Sequence, residues 1–105
     1  MAPVKPEPAM SIVEITRHGD DQAGEYRARL ADSPRIGRLT WVRRGTVRVA
    51  EHTLVPPEIG GRGVAARLVE ALIEDARAQH FQIDPQCSYV AAAFDKHPEW
   101  AALRA

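Results

Sequence analysis

Between an extended run and an amphipathic helix, the chain turns on three glycines with almost no residues to spare. Residues 46–55, TVRVAEHTLV, are rich in β-branched side chains and partly alternating, which predicts a strand with one face wet or turned to a ligand. Pro56 and Pro57 end it, because neither can donate to a sheet ladder. After Glu58 and Ile59 come Gly60, Gly61, Arg62 and Gly63, and from there apolar residues fall at Val64, Leu68, Val69, Leu72, Ile73 and Ala76. That spacing makes one apolar helical stripe over residues 63–79, with Arg67, Glu70, Glu74 and Arg77 on the other side.

A glycine-rich turn opening directly into a helix has a physical use. The N–H groups of Gly61, Arg62, Gly63, Val64 and Ala65 point outward at the positive end of the helix dipole with little bulk to block approach. Such a nest suits a phosphate or pyrophosphate. The plainer alternative is that the glycines only make a tight turn. A nucleotide-hydrolysing loop would need Lys and Ser or Thr after the last glycine, whereas Val64-Ala65-Ala66 follow here. Gly61-x-Gly63-x-x-Ala66 also fits a dinucleotide pattern, with Asp84 near the place of an acidic ribose ligand. Against it stands the single βα unit, where a dinucleotide domain repeats several.

Ahead of this unit, residues 11–18, 24–31 and 35–44 alternate as strands, separated by turn residues 19–24 and by Asp32-Ser33-Pro34. Tyr26, Ala28 and Leu30 share one face of the second. With the strand at 46–55 they predict an antiparallel meander of about four strands. Phe81-Gln82-Ile83 predicts a fifth strand, parallel to the fourth because a helix intervenes. A second helix runs to about Lys96, capped by Asp84 or by Ser88 and stopped by Pro98. The fold class is mixed α/β (α+β), with Trp41, Trp100 and Leu103 as packing residues and His18 at a strand end.

A chain of 105 residues fits one domain over residues 11–105, with the proline-rich residues 1–10 as a disordered leader. Fourteen basic against fourteen acidic side chains leave no footprint for nucleic acid or an anionic membrane, despite the local cluster of Arg35, Arg38, Arg43, Arg44 and Arg48. One cysteine excludes an internal disulfide and argues against a zinc site; no metal is expected. Without a signal sequence or a membrane-length apolar run, the expected location is the cytoplasm.

The combined pattern resembles the GNAT N-acetyltransferase superfamily, and most closely its minimal, single-domain YjdJ-type members. It is carried by Glu51-His52-Thr53, Gly61-Arg62-Gly63, Pro85-Gln86-Cys87-Ser88-Tyr89-Val90 and Phe94-Asp95-Lys96-His97-Pro98-Glu99-Trp100, across about residues 12–103. The resemblance implies a GNAT-like sheet with acetyl-CoA as substrate. It places the coenzyme at Val55, Gly60, Gly61, Arg62, Gly63, Val64, Ala65, Ser88 and Tyr89. Gly60 stands where the superfamily usually has Gln or Arg.

The resemblance also implies that His52 and Cys87 line the active site. Cys87 falls in or beside the first turn of the second helix, where the dipole and free amides favour thiolate. His52 is suited to take a proton. Cys87 is then either an acyl-accepting nucleophile or a polar neighbour of the thioester, and direct attack by the amine is the preferred route. Tyr89 is either a proton donor to the departing thiolate or a core aromatic. Strand alternation turns Glu51 away from His52, and Glu58 would serve as a base only if its loop folded inward. The expected partners are acetyl-CoA and an amine acceptor, a protein lysine, an N-terminus or a small polyamine, for a monomer or weak homodimer. The alternative is a non-catalytic acyl-CoA binding or sensing module.

Overall fold

The computed structural model describes residues 12–105. The leader expected over residues 1–10, and Ser11 at the expected start of the first strand, lie outside the described residues. Strands β1 (Val13–Gly19), β2 (Ala23–Leu30), β3 (Ser33–Arg44) and β4 (Val47–Leu54) form an antiparallel meander. β5 (Gln82–Pro85) joins β4 in parallel, so the sheet order is β1-β2-β3-β4-β5, as the intervening helix demanded. The expected turn at Asp32-Ser33-Pro34 is shorter than foreseen. Leu30 pairs directly with Ser33 across a register irregularity, which leaves Ser33 and Pro34 inside β3. Pro34 is tolerated there because it sits at the strand's start, beside that irregularity.

Alternation turns Tyr26, Ala28, Leu30, Leu39 and Trp41 to one face, where all are buried. Helix α1 (Val64–Gln79) lays its predicted stripe of Val64, Leu68, Val69, Leu72, Ile73 and Ala76 on them. Removing one such side chain from water contributes about 1.5–3 kcal/mol, so packing, more than propensity, holds the helix. Gly37 of β3 lies under its first turn: a Cβ there would meet Val64 Cγ1 at 2.7 Å. At the other end Tyr26 donates to the Asp75 carboxylate at 2.8 Å, and Arg17 Nε donates to the same oxygen at 2.9 Å. Arg48 stacks on Trp41 and Phe81, 3.9 and 4.2 Å from the ring centroids, and donates to the Tyr26 oxygen.

Two features of β4 position the site. The β3–β4 pairing passes from Trp41 opposite Ala50 to Thr40 opposite His52, so Glu51 is an extra, bulged residue. The β4–β5 pairing ends with Ala50 opposite Pro85. The N–H groups of Gln86 and Cys87 then both donate to the Ala50 carbonyl, at 3.1 and 2.9 Å, and the chain leaves the sheet. Beyond that point β4 has no parallel partner strand, and the chain turns into helix α2 (Ser88–Lys96).

Cys87 itself is the N-cap of α2, with φ −72° and ψ 129°. Neither Asp84 nor Ser88 takes that place, because pairing with β4 keeps Asp84 and Pro85 extended. Val90 and Phe94 of α2 join the same core as α1. A 3₁₀ segment, Pro98–Leu103, closes it. As expected, Trp100 is buried, with its ring edge-on to Phe94 at 5.7 Å and stacked on His97 at 3.9 Å, and Leu103 packs beside it. The opposite face of the sheet, which carries Thr16, Glu25, Arg27, Arg38, Thr40 and His52, contributes nothing to this core.

Candidate functional site

The link between β4 and α1 is built by three residues in a 3₁₀ turn, Pro57–Ile59, and the glycines after it. Ile59 is fully buried and anchors the turn. Gly60 stays extended at φ −67°, while Gly61 and Gly63 take φ 73° and 77°, a left-handed conformation that side-chain-bearing residues adopt at a cost. Gly63 is the N-cap of α1, and no side chain caps the helix. The N–H groups of Val64, Ala65 and Ala66 therefore have no intrahelical acceptor. This is the bare, glycine-rich helix start read from the sequence.

Val55, Gly60, Gly61, Gly63, Val64, Ala65 and Tyr89, all expected coenzyme residues, line one groove of about 320 Å³ together with Ile59 and Ala66. Tyr89 is 42% exposed and lines the groove, so it is not the core aromatic that one of its two sequence readings made it. Ser88 and the side chain of Arg62 do not line this groove. Arg62 reaches instead to Asp32 in the β2–β3 turn at 3.1 Å and holds that carboxyl below the usual carboxylate range.

Cys87 Sγ donates to Thr53 Oγ1 at 3.3 Å. Burial by itself would push the thiol up, but the Thr53 bond and the N–H groups of Val90 and Tyr89 outweigh it, so the thiol titrates below its ordinary value. The fold gives Cys87 a partner other than His52, the residue that the resemblance sets beside it in the active site. Thr53 faces the helices with Cys87, and His52, the next residue along β4, is turned to the helix-free face opposite Thr40.

The bulge also removes the reason for turning Glu51 from His52, since alternation is interrupted at that residue. Glu58 is ion-paired with Arg35 at 3.1 Å instead of folding inward. Thr53 was not singled out as the partner of Cys87. It stood inside the Glu51-His52-Thr53 motif, but only the register of β4 shows which of the three meets Cys87.

The glycine turn with its groove and the parallel β4–β5 pair are the features on which the sequence comparison bears. The GCN5-related N-acetyl-transferase family model matches residues 25–103. The chain belongs to this family. The matched span starts within β2 and runs to the end of the 3₁₀ segment, so it takes in the bulged β4, the glycine turn, both helices and β5. No curated protein matches the chain in sequence. Membership in the GCN5-related family supports an acyltransferase-type function for the domain. Among the described residues no helix is long and apolar enough to cross a membrane.

Proposed function

We propose that this GCN5-related domain, acting as one unit over residues 11–105, transfers an acetyl group from acetyl-CoA to an amine. The observation that carries the reading is the single groove shared by the glycine turn, the first turn of α1, Val55 and Tyr89. The amides of Gly61 to Ala65 hold the coenzyme's pyrophosphate, since uncapped N–H groups and the helix dipole both favour an anion there. The pantetheine arm follows β4 into the gap that opens after Ala50 and Pro85, where an unpaired strand edge offers it main-chain partners. The thioester then lies between Thr53 and Cys87 on one side and His52 on the other.

His52 takes a proton from the acceptor ammonium. The neutral nitrogen attacks the thioester carbon, the C–N bond forms, and the C–S bond breaks with coenzyme A leaving as thiolate; the new amide nitrogen sheds its extra proton to solvent, from which the Tyr89 oxygen regains the one it gives up. The Tyr89 hydroxyl, on the groove wall, donates the proton that neutralises the thiolate. Cys87 lines the thioester and does not carry the acetyl group, because its hydrogen-bond partner is Thr53 and not a general base. The helix-free face leaves the acceptor side open, which suits a protein lysine, an N-terminus or a small polyamine.

Titration of the ¹⁵N-labelled chain with acetyl-CoA tests the binding half of this reading. Shifts concentrated at Gly61 to Ala66 and at Tyr89 are expected, with NAD leaving them unmoved. Coenzyme release on adding an amine panel tests the chemical half. Binding without release would leave an acyl-CoA binding module.

A further inference from the structure

Register alone sets a row of polar side chains across the helix-free face. Glu25 of β2 stands opposite Thr40 of β3, and Thr40 stands opposite His52 of β4. Residues directly opposed on antiparallel strands share a face, with Cβ atoms about 4.5–5.5 Å apart. Carboxylate, hydroxyl and imidazole are therefore in line and within side-chain reach. The carboxylate end is fixed, because Glu25 is ion-paired with Arg27 and lies 3.7 Å from Arg38. His18 opposes Glu25 from β1, but its Nε2 is engaged by Thr16 Oγ1 at 2.7 Å.

The middle member is the anomaly. Thr40 Oγ1 is the one buried side-chain polar atom without a hydrogen-bond partner among the described residues. An unpaired buried hydroxyl is costly, because it gives up its bonds to water for nothing, so a fold that keeps one beside two polar neighbours has a use for it. A hydroxyl both donates and accepts. Glu25 offers an acceptor on one side, and His52, with no hydrogen bond or ion pair of its own among the described residues, offers a donor on the other.

We propose that Thr40 is the positioning residue of His52: in the working conformation its hydroxyl donates to the Glu25 carboxylate and accepts the Nδ1–H of His52. Nε2 is then the lone pair presented outward to the acceptor's proton. This rests on the reading of His52 as the base. It adds what that reading lacked, a group that selects the imidazole tautomer and holds the ring, which is the third member a nucleophile–base arrangement calls for. Only side-chain torsions need to change, since the strand register already aligns the three residues.

The test uses ¹⁵N-labelled full chain and reads the His52 ring nitrogens where the imidazole is neutral. The wild type is expected to carry its proton on Nδ1. Thr40→Val, close in shape and favourable in a strand, should move it to Nε2, and Thr40→Ser should retain Nδ1–H. If Thr40→Val does not fold, Thr40→Ala is read the same way. In turnover, Thr40→Val should lose about tenfold in kcat with KM for acetyl-CoA unchanged, and Thr40→Ser should recover it. An identical tautomer in wild type and in the valine or alanine variant overturns the inference, whatever the activity does. A tautomer switch in a chain that transfers no acetyl group keeps the relay and overturns the transferase reading instead.

Discussion

Cys87 Sγ and Thr53 Oγ1, 3.3 Å apart, form a polar contact across the gap where β4 parts from the chain that follows β5. Both ends of the contact are set by backbone events. The bulge at Glu51 turns Thr53 toward the helices, and the double use of the Ala50 carbonyl brings Cys87 out of the sheet as the cap of α2.

The thiol should react early in a pH titration. Its depressed value means that thiolate, the alkylated form, is more populated at neutral pH than in a free cysteine. The midpoint of the iodoacetamide rate against pH is expected below the ordinary thiol value of about 8.5. Once the thiol has ionised, the Thr53 hydroxyl can only donate to the thiolate, so Thr53→Val removes that donor and should move the midpoint up. Acetyl-CoA should protect Cys87 from the reagent, and equal rates with and without it would show that the coenzyme does not pass this residue.

Gly61 and Gly63 adopt positive φ with nothing within 4 Å of an added Cβ. Alanine at either position therefore meets only backbone strain, about 1–2 kcal/mol. The expected result is a lowered Tm together with weaker acetyl-CoA binding by calorimetry. Unchanged binding would mean that these amides do not contact the coenzyme.

Gly37→Ala acts on the same amides from beneath. The new methyl would sit 2.7 Å from Val64 Cγ1, so the first turn of α1 must shift or Val64 must repack. Overpacking of this kind costs about 1–3 kcal/mol. Thermal unfolding should register the loss, and the amide resonances of Val64 to Ala66 should move although no groove residue has been changed.

Tyr26→Phe tests the clamp between α1 and the sheet. Burial, and then the bond to Asp75, push the Tyr26 phenol far above its ordinary value. A raised value means its contribution is fully present below the unfolded value of about 10 and is lost as the pH climbs past it, when only the unfolded chain can release the proton. Wild-type stability should therefore fall with pH in that alkaline range, and the phenylalanine variant should lack this part of the slope. At neutral pH the variant should be less stable by about 1 kcal/mol, from denaturant midpoints, because Asp75 and Arg48 lose a partner.

Local periodicity carried much of the fold. The apolar stripe of α1 is the one read from spacing, and the Tyr26-Ala28-Leu30 face of β2 follows from strict alternation. The parallel placement of β5 follows from a rule of chain connection. The glycine turn was equally legible, because left-handed backbone and a bare helix start leave their mark in residue type. What failed had a common cause. The cap of α2 was misplaced because β4 recruits Asp84 and Pro85 into the sheet, which local capping preference does not register. Glu51 and His52 were assigned sides by an alternation that the bulge interrupts.

The sequence by itself determined the kinds of element, their order, the helix-facing core and a glycine-rich, uncapped helix start, since each depends on neighbours within a few positions. Tertiary structure alone decided that Thr53 meets Cys87, that His52 stands opposite Thr40 on the other face, and that the strands separate at Ala50 and Pro85. A single unpaired residue reverses every side chain beyond it, and whether it stays unpaired depends on a partner strand distant in the chain.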